Sequence, residues 1–116
     1  MILSRTAAEA VLSTTGSGNK VRWLVSKEDG STNYEMREIR IPPGGKSSNG
    51  SHEHEHVVYV LQGKGRVVGP KEEKILLSGT SVFIPGGDEH QWVNDSKEEA
   101  LVFLCVIPSG SEDFLK

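Results

Sequence analysis

Short runs in which apolar and polar residues alternate follow one another along most of the chain, with turn residues between them. A period of two places alternate side chains on opposite faces of a β-strand. Lys20 to Lys27 sets Val21, Trp23 and Val25 against Arg22, Leu24 and Ser26, and Glu28-Asp29-Gly30-Ser31 closes it with a turn. Asn33 to Ile41 is the next predicted strand. Tyr34, Met36, Glu38 and Arg40 share one face, and Glu35, Arg37, Ile39 and Ile41 share the other. Both faces carry charge, so hydrophobicity leaves open which of them turns inward. Pro42-Pro43-Gly44-Gly45 ends the strand, because proline offers no ladder donor. A histidine-rich stretch then runs to Gln62. Gly63-Lys64-Gly65 reads as a hairpin turn, with Arg66 to Val68 as the return strand. Lys74 to Leu77, Thr80 to Ile84, His90 to Val93 and the strongly apolar Ala100 to Ile107 complete eight predicted strands.

The ends are less regular. Residues 1–19 form an irregular N-terminal arm, in which Thr6-Ala7-Ala8-Glu9 has capping-box spacing and predicts a short helical turn running into Ala10, Val11 and Leu12. Residues 108–116 are a loose tail whose Phe114 and Leu115 are the side chains able to dock. Many short strands with almost no helix predict an all-β antiparallel sandwich or barrel. At 116 residues the chain makes one domain, 1–116. A net charge of −3 without Lys/Arg clusters argues against nucleic acid and anionic membranes as partners. No apolar run approaches the roughly 20 residues that span a bilayer. The N-terminus has no basic region followed by a long apolar segment, and Cys105 is the sole cysteine, so a cytoplasmic location is expected.

The chemistry gathers in two places. Ser51-His52-Glu53-His54-Glu55-His56 holds three of the four histidines, and His90 lies in Gly79 to Asn94. Imidazole is a common metal ligand, and several on one face can share an ion. On a straight strand His52 and His56 would stand roughly 13 Å apart at their Cα atoms, too far to share one. A bend or bulge is therefore required between them, as is frequent beside active sites. His52, His56 and His90 are the expected ligands. His54 either completes the set or lines the mouth.

These two stretches resemble the motifs of the cupin superfamily. The family's second motif spaces Gly, Pro, Gly, His and Asn as Gly79, Pro85, Gly87, His90 and Asn94 stand here. The first motif matches in part. Counting back from Gly63 places the family's glutamate ligand at His56, its second histidine at His52 and its first at Gly50. Histidine in place of that glutamate is similar to a subgroup of small cupins whose metal is held by four histidines. The resemblance covers about residues 33–107. It implies a double-stranded β-helix, or jelly-roll, barrel of cupin type, one divalent transition metal per chain (manganese, iron, zinc, nickel or copper) and commonly a homodimer.

With neutral ligands only, a divalent ion would keep its full charge, lower the pKa of bound water strongly and favour an anionic small molecule as substrate or ligand. Two functions are expected from such a centre. One is a metal-dependent enzyme on a small organic molecule, of oxygenase (dioxygenase) type or of Lewis-acid (isomerase or cyclase) type. The other is a non-catalytic metal-containing ligand-binding or sensor module. A metal-free structural barrel leaves the histidine clustering unexplained. The candidate pocket residues are Arg40 (or Arg37, according to the parity of its strand), Gln62, Trp92, Phe103 and Cys105. Val57, Tyr59 and Leu61 take the face away from the histidines, available for packing between sheets or subunits.

Overall fold

The computed structural model describes residues 1–112. Within them the strands are β1 (Val11–Thr14), β2 (Lys20–Val25), β3 (Tyr34–Ile41), β4 (His56–Gln62), β5 (Lys64–Val68), β6 (Glu73–Leu77), β7 (Ser81–Ile84), β8 (Gln91–Asn94) and β9 (Leu101–Pro108). A six-stranded sheet in the order β1-β2-β3-β9-β4-β7 faces a three-stranded sheet in the order β6-β5-β8. Isolated bridges Lys46–Val93 and Gly50–His90 lay the segment before the histidines along the open edge of β8. The expected jelly-roll barrel is what forms.

The core lies between the sheets. Val58 and Val60 of β4, Leu101, Phe103, Cys105 and Ile107 of β9, and Trp92 of β8 are buried in it. Alternation puts Val57, Tyr59 and Leu61 on the outer face of β4, each at least 41% exposed. On β3 the inward face proves to be the one bearing Glu35, Arg37 and Ile41, all buried. Glu35 is accommodated because its carboxylate accepts the backbone N–H groups of Lys27 (2.8 Å) and Gly110 (2.9 Å). Asn94 is a clamp between loops: its amide donates to the carbonyls of Ile41, Pro42 and Glu99 while its oxygen accepts from the Ser96 N–H.

Three local differences from the sequence reading have physical causes. The helical turn is confined to Ala7–Glu9, where Glu9 accepts from the Thr6 N–H and hydroxyl. The N-terminal arm is not irregular beyond it: Val11–Thr14 becomes an edge strand, folded back onto β2 through the Thr15–Asn19 turn. Four residues with Val11 and Leu12 both half exposed give no periodic signal. The arm is tied down further by Arg5, which forks onto Asp29 at 2.7 and 2.8 Å. Gly63-Lys64-Gly65 is likewise not a hairpin. β4 pairs with β7 and β9, whereas β5 pairs with β6 and β8, so the chain changes sheets here. The docking expected of Phe114 and Leu115 lies outside the described residues. Among the described residues no helix is long and apolar enough to cross a membrane.

The corner depends on glycine. Gly63 has φ +97°, and a Cβ on Gly65 would come within 2.2 Å of the Val93 carbonyl oxygen. Gly65→Ala is therefore expected to lower stability by about 1–3 kcal/mol, the usual cost of overpacking. A urea melt reads this as a lower midpoint; an unchanged midpoint would show that the corner does not need glycine.

Candidate metal centre

β4 begins at His56, and residues 51–55 lie outside the sheet. The chain thus takes the bent course and not the straight one. Two contacts impose the bend. Gly50 and His90 exchange backbone hydrogen bonds at 2.9 and 3.2 Å, and the Gly87 N–H donates to the His52 carbonyl at 2.6 Å. The loop after β7 approaches so closely that a Cβ on Gly86 would lie 2.2 Å from the Glu53 carbonyl oxygen. The outcome is that the two histidine-bearing stretches meet. Ring centroids are 5.0 Å apart for His52 and His54, 4.9 Å for His54 and His56, 5.1 Å for His52 and His56, and 5.1 Å for His56 and His90.

Among the described residues, His52, His54, His56 and Glu112 each offer one donor atom, and the four atoms lie within 4.8 Å of one another. His56 Nε2 and His52 Nδ1 are 3.2 Å apart. Two nitrogens bound at about 2.0–2.1 Å to one ion stand about 3.0–3.4 Å from each other, so this spacing suits a shared metal. Three imidazoles and a carboxylate are a donor set for a first-row divalent ion. The residues present fit the metal that the histidine pattern implies.

Neighbours orient His56, His90, His54 and Glu112. The Cys105 thiol sulfur is 3.4 Å from His56 Nδ1, which leaves Nε2 turned to the cluster. His90 Nδ1–H donates to the Asp88 carbonyl at 2.9 Å, leaving its Nε2 with the lone pair. His54 Nε2 lies 2.7 Å from one Glu112 oxygen, and Arg37 Nη1 donates to the other at 2.8 Å. An ionised carboxylate only accepts, so His54 carries its proton on Nε2 in the metal-free protein.

Burial sets the charge states. It pushes the imidazoles of His56 and His52 below the ordinary histidine value, keeping them neutral and ready to bind metal. Burial also raises the Cys105 thiol, against the pull of Arg37. For Glu112 burial alone would raise the carboxyl; the charge of Arg37 and the His54 hydrogen bond outweigh it and hold the group below its usual range. A cavity of about 190 Å³ opens among His52, His56, His90, Arg37, Trp92 and Glu112. A second cleft of about 670 Å³, lined by Val67, Lys74, Phe83 and Ile84 among others, also reaches His90.

The sequence candidates are distributed as follows. His52, His54 and His56 come together as donors; the His90 ring lies 5.8 and 5.1 Å from those of His52 and His56, but the close donor group has Glu112 and not His90 as its fourth member. Cys105 lies beside His56, and Trp92 forms a wall with its ring 6.0 Å from that of His90. Phe103 is fully buried behind Trp92, at 4.7 Å between ring centroids. Arg40 is not at the site: it faces outward, half exposed, beside Glu38. Gln62 is not there either, as it caps the Ala100 carbonyl at the far end of β4. Arg37 takes the position considered for Arg40, because the face of β3 bearing Glu35 and Arg37 turns in. Glu112 escaped the sequence reading altogether. It stands in Ser109-Gly110-Ser111-Glu112, a stretch whose composition signals only a turn.

Known proteins resemble the chain as follows. A family model described as a cupin domain matches residues 37–107. A 1-methylthio-D-xylulose 5-phosphate methylsulfurylase of Rhodospirillum rubrum is 34% identical over 73 residues, 63% of this chain and 46% of that protein. The chain therefore spans about half the length of this curated relative. The solved structure of the polyketide cyclase RemF from Streptomyces resistomycificus superposes with a TM-score of 0.87 at 24% identity, covering 97% of this chain and 83% of that one. A cupin-2 domain from Rhodospirillum rubrum superposes at 0.73 with 28% identity, covering 98% and 73%.

The lowered imidazole pKa values of buried His56 and, to a lesser degree, exposed His52 make the metal-free protein sensitive to acid. As the pH falls through 6.5, the ordinary histidine value, the unfolded chain binds protons that folded His56 and His52 refuse, so stability falls. The melting temperature of metal-free protein, followed by circular dichroism, is expected to drop on acidification through that value. His56→Gln should flatten the drop. Equal pH slopes in both proteins would show that His56 is not the group responsible.

Proposed function

This chain belongs to the cupin-domain family, and from that premise we propose that it is a metal-dependent enzyme acting on a small anionic organic molecule. The observation that carries the proposal is the convergence of His52 Nδ1 and His56 Nε2 at 3.2 Å, with His54 and, while no anionic ligand occupies its place, Glu112 within reach of the same ion. When bound, a divalent ion supplies Lewis acidity, and an iron or manganese ion also supplies redox chemistry. The chain's own residues do the rest. Arg37 brings a buried positive charge to the cavity wall, where an anionic substrate group is held. Trp92 closes the floor and limits water, and Phe103 packs behind it. The Asp88 carbonyl keeps His90 in one tautomer beside the metal donors.

Small-molecule chemistry is supported by the curated methylsulfurylase named above, whose name describes action on a sugar phosphate and which is 34% identical to this chain over 73 residues. The reaction is of oxygenase type or of Lewis-acid (isomerase or cyclase) type, and the metal decides between them. The active form is a homodimer, joined through the outer face of β4 and β7. There Val57, Tyr59, Leu61 and Phe83 remain 41–58% exposed.

The test is elemental analysis of protein purified without added metal, with absorption spectra taken with and without oxygen. About one equivalent of divalent metal per chain is expected, and His56→Ala should lose it. Iron or manganese that responds to oxygen selects the oxygenase; zinc or nickel indifferent to oxygen selects the Lewis acid. Wild-type protein that neither contains metal nor takes it up on titration would overturn the proposal.

A further inference from the structure

Glu112 sits in the cavity as a guest from outside the barrel. Its segment is anchored short of the site: Ser109 N–H donates to the Asn33 carbonyl, Ser109 Oγ to the Ser31 carbonyl, and Gly110 N–H to the Glu35 carboxylate. Glu112 itself reaches the site through its carboxylate, one oxygen on Arg37 and the other on His54. Arg37 is only 5% exposed, held over the Trp23 ring at 5.5 Å, and it donates from Nη2 to the Cys105 sulfur at 3.2 Å. Its Nε–H is buried without an acceptor among the described residues. A buried guanidinium with a spare donor, facing a cavity, is built to receive an anion with planar oxygens.

We propose that Arg37 and His54 form a subsite for the carboxylate of a small organic acid, and that Glu112 is an internal stand-in which this ligand displaces. The inference rests on the reading of the cavity as a substrate site and adds the substrate's chemical class. With Glu112 in place the cavity is about 190 Å³, below the roughly 300–1,000 Å³ of sites for drug-sized ligands, and the departing carboxylate adds only its own side chain's room, so the acid is small. The tail carboxylate satisfies Arg37 while the site is idle. It also sets a threshold, because a ligand must outcompete a tethered group of its own kind.

Malonate serves as the probe, titrated calorimetrically into the metal-free full chain, with histidine side-chain ¹⁵N spectra recorded alongside. A competitor that holds the subsite nine-tenths of the time weakens apparent affinity about tenfold, so Glu112→Gln is expected to tighten malonate binding by about that factor. Arg37→Lys, which keeps the charge and loses the fork, should weaken binding in both the wild-type and the Glu112→Gln backgrounds. In wild-type protein malonate should move the His54 ring resonances as Glu112 leaves. Glu112→Gln affinity equal to or below wild type, or no binding by either protein, overturns the displacement. Undiminished binding in Arg37→Lys overturns the anchor. Should Arg37→Lys fail to fold by circular dichroism, the Glu112→Gln comparison and the His54 shift decide the matter between them. No metal is present in these measurements, so their failure leaves the metal reading standing, and failed metal uptake leaves the carboxylate subsite standing.

Discussion

An extended chain carries alternate side chains along one line, and imidazoles at its two ends stand too far apart to meet. The whole site depends on breaking that line between Gly50 and His56. The break costs the chain its ladder bonds over residues 51–55, and these are replaced from the second histidine stretch: the Gly50–His90 pair and the Gly87 donor to His52 hold the backbone in its bent course. Gly86 is bare of a side chain where the two loops touch. The glycine-rich loop that carries His90 is therefore also the brace that positions His52 and His54. The contacts between these two loops bring the histidines of the donor cluster together.

A second constraint is the pair of buried charges on β3. Glu35 and Arg37 occupy inward positions of a strand otherwise facing an apolar core. Unpaired, each would be costly. The segment that follows β9 supplies a partner to each, leaving only the Arg37 Nε–H without an acceptor among the described residues. Glu35 grips the Gly110 N–H, and Arg37 grips the Glu112 carboxylate. The carboxylate that the histidine motif lacks at His56 thus returns to the cluster from a distant part of the chain. While it stays in place it would lower the positive charge that neutral imidazoles alone would leave on a bound ion.

Much of this protein was legible in its residues. Period-two alternation and the spacing of turn residues determined the all-β class and, to within a residue or two, most strand positions, because side-chain direction along a strand is a local property. The spacing of Gly79, Pro85, Gly87, His90 and Asn94, through its likeness to the cupin motif, led to the expectation that His52, His56 and His90 would gather, and strand geometry required a bend for it; whether His54 joined them stayed open. What lay beyond the sequence was whatever depends on partners far along the chain. Four residues of β1 become a strand only because β2 offers an edge. Gly63 turns between sheets and not between paired strands because β9 and β7 already flank β4. The inward face of β3 was undecidable from hydrophobicity, since Glu35 and Arg37 are admitted by acceptors and donors more than seventy residues away. Glu112 had no local signature at all; its role exists only where tertiary folding brings a turn residue against a buried arginine and a histidine.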